Sequence, residues 1–180
     1  MALRIEYPTY IVADIPSPMA EQIQVFRSRF DAERANMPAE VTLTGSCGVG
    51  TVSPGQEVDF VIREIDRIAS QFDPFEAAFS HVERFNNTDI YFLTFQNPEP
   101  FLRLHQALAA SSIVFVPSPF PYMPHCTLKL RKHPSEQELL ELFFLDVPQE
   151  PFQIDMLSLY SLSDANSCEL FHKAPLSKQS

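Results

Sequence analysis

Apolar residues recur at helical and strand spacings along the first half of the chain. Residues 3–14 are rich in Ile, Tyr and Val, which favours a strand, and a helix is predicted from Pro18 to Ala35. Residues Glu40 to Ser46 alternate polar and apolar side chains, as a half-buried strand does. A second helix is predicted after Ser53, with Gln56 placed to complete a capping box. The buried faces of these two helices are expected to carry Met19, Ile23, Phe26 and Phe30, and Val58, Ile62, Ile65, Ile68 and Phe72.

The second half begins with a predicted β-hairpin. Two β-rich runs, 75–85 and 88–95, flank Asn86-Asn87, a pair that tolerates the positive φ of a tight turn. Asn97-Pro98 then opens a helix, and residues 113–116 form a short apolar stretch. The helix is expected to bury Phe101, Leu104 and Leu108.

A proline-rich loop leads into the next predicted strand. Residues 117–124 contain four prolines, and proline cannot donate a hydrogen bond to a β-ladder. The strand is therefore predicted from His125 to Arg131. Ser135 and Glu138 then have the spacing of a capping box at the start of a further helix.

The chain closes with a second predicted hairpin, in which 152–162 and 168–173 are joined by a turn at 163–167. Strands and helices do not alternate strictly, so the pattern predicts an α+β fold with antiparallel sheets. Only four glycines are present, which disfavours a phosphate-binding glycine loop. The length of 180 residues and the 45% hydrophobic content predict one domain spanning 1–180.

Charge narrows the classes of partner. The chain has 13 basic and 23 acidic residues, a net charge of −10, which repels long duplex nucleic acid. No apolar run approaches the roughly 20 residues that span a bilayer, and Arg4 and Glu6 interrupt the N-terminal segment. The three cysteines lack CxxC spacing, which disfavours disulfides and zinc. We therefore expect a cytoplasmic monomer without a membrane partner.

The candidate chemistry lies in two similar strands, one in each half. Pro124-His125-Cys126-Thr127-Leu128 holds His-x-Thr, and Glu40-Val41-Thr42-Leu43 holds Glu-x-Thr. Strand alternation places the imidazole and hydroxyl of His125 and Thr127 on one face, and it directs Cys126 into the apolar layer. Histidine titrates near neutrality and a threonine hydroxyl can bind a phosphate oxygen, while Lys129 and Arg131 would extend that face with positive charge.

Other residues near the motifs have ordinary interpretations. Tyr122 and Phe120, in the proline-rich loop, are placed either to flank a base or to pack within the loop itself. The four remaining histidines do not lie in a matching strand pattern, so none of them is predicted to replace the missing first histidine: His81, His105, His133 and His172.

The two strands resemble the motifs of the two-histidine phosphoesterase superfamily, which includes the RNA 2',3'-cyclic phosphodiesterases, also called 2'-5' RNA ligase-like proteins. The resemblance spans nearly the whole chain and rests on Val41-Thr42-Leu43-Thr44-Gly45, on Pro124-His125-Cys126-Thr127-Leu128 and on segment 152–161. It implies two pseudo-symmetric lobes of antiparallel sheet, with outer helices, around a central groove. In that scheme one histidine is the general base and the other the general acid, and no metal or other cofactor is required.

Transferred to this sequence, the resemblance makes His125 the acid and Thr42 and Thr127 the phosphate ligands. The expected substrate is a small nucleotide or RNA terminus carrying a 2',3'-cyclic phosphate or a 2'-5' linkage. The sequence departs from the family where Glu40 occupies the position of the first histidine.

The consequence of this glutamate is open. A carboxylate can serve as general base opposite an imidazolium. It also repels a phosphodiester, by about 4 kcal/mol at about 4 Å with an effective dielectric of about 20. The hypotheses are hydrolysis weakened or altered by Glu40, an inactive nucleotide- or phosphate-binding module on the same fold, and a protein-interaction module.

Overall fold

A computed structural model of the protein describes residues 2–164 and 167–177. Within these residues the chain forms four helices and eleven strands. The helices are α1 (Met19–Phe30), α2 (Val58–Ala69), α3 (Glu99–Ala109) and α4 (Glu136–Phe143). The strands are β1 (Thr9–Asp14), β2 (Glu40–Thr44), β3 (Thr51–Val52), β4 (Phe75–Ala77), β5 (Phe79–Arg84), β6 (Tyr91–Phe95), β7 (Phe115–Val116), β8 (Cys126–Lys129), β9 (Phe152–Ile154), β10 (Met156–Asp164) and β11 (Ser167–Pro175).

Every strand pairing within the three sheets is antiparallel, which confirms the predicted α+β class. The largest sheet has the order β11-β10-β1-β3-β7, with β2 also paired to β1. A three-stranded sheet has the order β5-β6-β8, and β4 pairs with β9. The two motif strands therefore belong to different sheets, β2 to the large sheet and β8 to the small one.

Strand β2 follows the alternation that its sequence predicts. Val41 and Leu43 are fully buried in the core, whereas Glu40 and Thr42 are half-buried on the other face. The pairing with β1 shifts register beside Ile11, and there the Thr44 hydroxyl accepts a hydrogen bond from the Ile11 N–H at 3.1 Å.

Strand β8 is an edge strand of its sheet, and α1 covers that edge. The Arg27 Nε donates to the Thr127 carbonyl at 2.9 Å, and the Asp31 carboxylate accepts the Leu130 N–H at 2.9 Å. The Lys129 ammonium donates to the Phe30 carbonyl at 2.8 Å, at the C-terminal end of α1. Helix α1, from the first half of the chain, thus fixes the motif strand of the second half.

Most predicted elements form, and the differences from prediction have local causes. Helix α1 ends at Phe30 rather than near Ala35, because Asp31 leaves the helical conformation. No capping box forms at Ser53, because the Gln56 amide donates instead to the backbone carbonyls of Ser53 and Val114. Of the turn predicted at 163–167, Ala165 and Asn166 lie outside the described residues.

Other local predictions are confirmed. Ser135 and Glu138 form both hydrogen bonds of the capping box ahead of α4. Asn87 has φ of 59° in the turn between β5 and β6. Across the described part of the chain, no helix combines the length and apolarity needed to cross a membrane.

Candidate functional site

The two motif strands lie side by side although they belong to different sheets. Cα atoms of β2 and β8 approach to within 8 Å of each other. Their contact joins residues more than 80 positions apart in the sequence, and it brings the Glu-x-Thr and His-x-Thr segments into one region of the molecule.

The proline-rich loop ahead of β8 is bound to the turn that follows β2. The Ser118 hydroxyl donates to the Ser46 carbonyl at 2.8 Å, and the Gly48 N–H donates to the Phe120 carbonyl at 2.9 Å. Gly48 has φ of +69°, and a Cβ at this position would overlap the His105 ring. These bonds fix where the chain enters β8 relative to the end of β2.

Tyr122 and His105 hold the backbone of β2 from the same side. The Tyr122 hydroxyl donates to the Thr42 carbonyl at 3.0 Å, and the His105 Nδ1 donates to the Leu43 carbonyl at 2.7 Å. Their rings stack at 3.8 Å with an interplanar angle of 6°. Burial raises the pKa of Tyr122 and lowers that of His105. Tyr122 therefore packs within the protein, whereas the Phe120 side chain is 66% exposed.

His125 is held at the start of β8 with only 4% of its surface exposed. Its Nδ1 donates to the Met123 carbonyl at 2.7 Å, and its ring packs edge-on against Phe85 and Phe92. Burial lowers the pKa of His125; the Met123 bond opposes that shift and the charge of Arg34 adds to it. Because Nδ1 carries the donated proton, the neutral ring has its unprotonated nitrogen at Nε2.

Glu40 forms an ion pair with Arg34, with 3.9 Å between Oε1 and Nη2. Burial raises the pKa of Glu40, and the charges of Arg27 and Arg34 partly offset this rise. The pKa shifts of Glu40 and His125 thus run in opposite directions. Burial favours the protonated carboxyl and the neutral imidazole, which is the reverse of the roles expected from the sequence.

Two arginines near Glu40 were not among the residues singled out from the sequence. Arg27 is fully buried. It lies four residues after Ile23, on the apolar stripe of α1, so its burial can be inferred from the sequence. Arg34 lies in the turns after α1, and nothing in the local sequence indicates its role. The position of Arg34 depends on the path that the chain takes between α1 and β2.

The four residues predicted to bind phosphate differ in how exposed they are. Thr42 and Thr127 are half-buried on β2 and β8. Lys129 does not lie along an open polar face as expected; it is 2% exposed and its ammonium binds the end of α1. Arg131 is exposed and has φ of 64°. Its positive charge acts to lower the pKa of Tyr10, a residue of β1.

Cys126 is fully buried, in agreement with its predicted orientation into the apolar layer. Its backbone pairs with Leu93 of β6. Its thiol nevertheless lies within electrostatic range of Arg27, Glu40 and Arg34. Burial raises the pKa of this thiol to about 11, so it is protonated at neutral pH. In the described ranges, no group of three or more His, Cys, Asp or Glu side chains is arranged to hold a metal ion.

Two surface cavities lie away from both motif strands. One, of about 370 Å³, is beside α4 and includes Arg29 and Phe144. The other, of about 320 Å³, lies between residues 71–75 and the start of α3. Neither cavity includes a residue of the two motifs.

Comparison with solved structures gives the same fold over nearly the full length. TT0787 of Thermus thermophilus has a TM-score of 0.68 at 17% identity, covering 99% of this chain and 100% of that chain. E. coli LigT complexed with 3'-AMP has a TM-score of 0.65 at 19% identity, covering 96% and 99%. E. coli LigT complexed with phosphate has a TM-score of 0.63 at 15% identity, covering 97% and 99%.

Sequence comparison assigns the family. The comparison with curated proteins found no match. The model of the 2'-5' RNA ligase superfamily matches residues 15–166, which include both motif strands and all four helices. The resemblance predicted from the two motifs is confirmed, and the chain belongs to the 2'-5' RNA ligase superfamily.

Proposed function

We propose that the protein is a phosphodiesterase that hydrolyses 2',3'-cyclic or 2'-5' phosphodiester bonds of small nucleotides or RNA ends. The approach of β2 and β8 to within 8 Å carries this proposal, because it brings one threonine-bearing strand from each half of the chain into contact. Membership of the 2'-5' RNA ligase superfamily supports a phosphoesterase-like activity.

In this proposal the substrate phosphate is held by the hydroxyls of Thr42 and Thr127. A hydroxyl donates to a phosphate oxygen, and guanidinium groups supply charge-assisted hydrogen bonds. Arg131 is exposed and is expected to act near the mouth of the site, whereas the buried Lys129 contributes only by fixing β8. The structures of E. coli LigT with 3'-AMP and with phosphate support a ligand of this size and chemistry.

The pKa directions favour His125 as general base and Glu40 as general acid. The unprotonated His125 Nε2 would take a proton from water as the water oxygen bonds to phosphorus. Glu40 is paired with Arg34 in the free protein. Once a bound phosphate replaces it at Arg34, burial favours the protonated Glu40 carboxyl, which would give its proton to the leaving ribose oxygen as the phosphorus–oxygen bond breaks. The products are a phosphomonoester and a free hydroxyl, and every proton is accounted for.

Phosphorus NMR of a 2',3'-cyclic nucleotide incubated with the protein tests this activity. We expect wild type to convert the cyclic phosphate into a monoester. The rate of this conversion should be about 100-fold lower, or lower still, in His125→Ala. His133→Ala is the matched control, because the His133 side chain is 81% exposed, and it should leave the rate unchanged. Turnover that survives His125→Ala would contradict the mechanism.

One observation favours a second function, a nucleotide- or phosphate-binding module without turnover. The Glu40 carboxylate is paired with Arg34 rather than free. In that case the wild type binds 3'-AMP but does not turn over the cyclic nucleotide, and Glu40→His gains turnover. A rate in Glu40→His lower than in wild type would support the hydrolytic function instead.

A further inference from the structure

Arg27 is a buried charge without a carboxylate partner. Its side chain is 0% exposed, and its Nε and Nη1 donate to the backbone carbonyls of Thr127 at 2.9 Å, Pro38 at 2.9 Å and Met37 at 3.2 Å. Nη2 is buried and donates to no oxygen, and the buried Cys126 thiol lies beside this guanidinium. Within residues 2–164 and 167–177 no carboxylate oxygen lies within 4 Å of it. Burying a cation without a carboxylate partner costs desolvation free energy that no ion pair offsets.

Arg34 is a second guanidinium close to the first. Burial and the charge of Arg27 both lower the pKa of Arg34. Its Nε is buried without a hydrogen-bond partner, and Glu40, at 3.9 Å, is the one carboxylate within 4 Å among the described residues. Of the two neighbouring arginines, only Arg34 therefore has a carboxylate within 4 Å in the described residues, and Asp31 acts on it from farther away.

The two arginines act on both motif strands. The charges of Arg27 and Arg34 both lower the pKa of Glu40 on β2, against the larger effect of burial. The charge of Arg34 also lowers the pKa of His125 at the start of β8. The two guanidinium groups therefore lie where the Glu-x-Thr and His-x-Thr segments approach each other, Arg34 on Glu40 and Arg27 on the Thr127 carbonyl.

We propose that Arg27 and Arg34 form a receptor for the phosphoryl group of the substrate. Arg34, 20% exposed, contacts the group, the fully buried Arg27 adds positive charge behind it, and Glu40 is a resident counter-ion that the group displaces from Arg34. The phosphoryl group is named as ligand because the receptor rests on the proposed function. Guanidinium N–H groups match phosphate oxygens in geometry and charge, and the Arg34 Nη2 makes a single ion pair, at 3.9 Å, that a phosphate oxygen can replace. The receptor offsets the repulsion that a carboxylate at position 40 introduces.

Arginine NMR tests the receptor on the wild-type protein. In protein labelled with ¹⁵N-arginine, inorganic phosphate and 3'-AMP are each titrated while the guanidinium N–H resonances are followed. We expect the Arg27 and Arg34 resonances to shift, whereas Arg29 and Arg67, about half exposed and paired with Glu141 and Glu64, stay in place. Unshifted Arg27 and Arg34 resonances at saturating ligand would overturn the receptor.

Calorimetric titration of 3'-AMP into variants tests the counter-ion. Arg34→Gln should weaken binding about ten- to one-hundredfold, because it removes a charge-assisted contact. Arg29→Gln, on the exposed part of α1, is the matched control and should leave binding unchanged. Glu40→Gln should tighten binding by about tenfold, since the phosphoryl group no longer competes with a carboxylate. Weaker binding by Glu40→Gln would contradict the displacement.

The receptor and the proposed hydrolysis fail in different ways. Shifted arginine resonances without turnover of a cyclic nucleotide would support the receptor and contradict the hydrolysis. Turnover with unshifted resonances, and with Arg34→Gln as active as wild type, would contradict the receptor and leave the hydrolysis supported. The NMR titration does not depend on Arg27 variants, which would lose three backbone hydrogen bonds.

Discussion

Glu40 and Arg34 form an ion pair at 3.9 Å in which both side chains are largely buried, with 17% and 20% of their surfaces exposed. Glu40 is the first residue of the Glu-x-Thr motif on β2. The carboxylate of this motif therefore has its own cation. The charge that Glu40 introduces is balanced within the protein, before any substrate is bound.

The pH dependence of turnover should reflect the two opposed pKa shifts. The pKa of His125 is lowered from 6.5, so the neutral base is formed as pH rises and the rising limb of kcat/KM should have its midpoint below 6.5. The pKa of Glu40 is raised from 4.5, so the protonated acid is lost as pH rises further, with a midpoint above 4.5. Steady-state kinetics of wild type and Glu40→Gln measure both limbs. A falling limb that persists in Glu40→Gln would exclude Glu40 as the acid.

Glu40 should also make stability depend on pH. The folded-state pKa is above the ordinary value of 4.5, so the folded protein holds a proton that the unfolded chain has released. The free energy of unfolding of wild type, relative to Glu40→Gln, should therefore be highest below pH 4.5. It should fall as pH rises through the raised pKa. Urea unfolding at a series of pH values measures the difference, with the exposed Glu136→Gln as control. A difference that increases with pH would contradict the direction of the shift.

Gly48 should be far less tolerant of alanine than Gly55. Both have positive φ, +69° and +89°, which costs an L-residue about 1–2 kcal/mol. At Gly55 a Cβ would meet no atom within 4 Å, whereas at Gly48 it would overlap the His105 ring that binds the Leu43 carbonyl. We expect the free energy of unfolding to fall by only this conformational cost in Gly55→Ala. In Gly48→Ala it should fall by about 3 kcal/mol or more. Equal losses in chemical denaturation would show that the His105 contact contributes nothing.

Predictions from neighbouring residues were accurate where no distant group competes for the same side chain. The capping box of Ser135 and Glu138 and the turn at Asn87 form as the sequence indicates, because their interactions span only a few positions. The capping box at Ser53 fails because Gln56 finds an acceptor at Val114, 58 positions away. A local pattern cannot report a distant backbone group that competes for the same side chain.

Lys129 shows the same limit within the motif itself. Alternation along β8 placed it beside Thr127 on a polar face, yet its ammonium is buried against the Phe30 carbonyl. An edge strand leaves backbone groups unpaired, and the element that covers the edge decides which side chains are drawn under it. That element is α1, whose packing against β8 is not encoded in the strand.

The sequence by itself determined the α+β class, the two threonine-bearing strands and the superfamily, since these follow from short-range periodicity and from the identity of a few motif residues. The tertiary structure alone decided that Glu40 is paired with Arg34, that Arg27 is buried without a carboxylate, and that the pKa values of Glu40 and His125 shift in opposite directions. The physical reason is that desolvation and Coulomb interactions depend on distances between residues far apart in the chain, and only the folded backbone sets those distances.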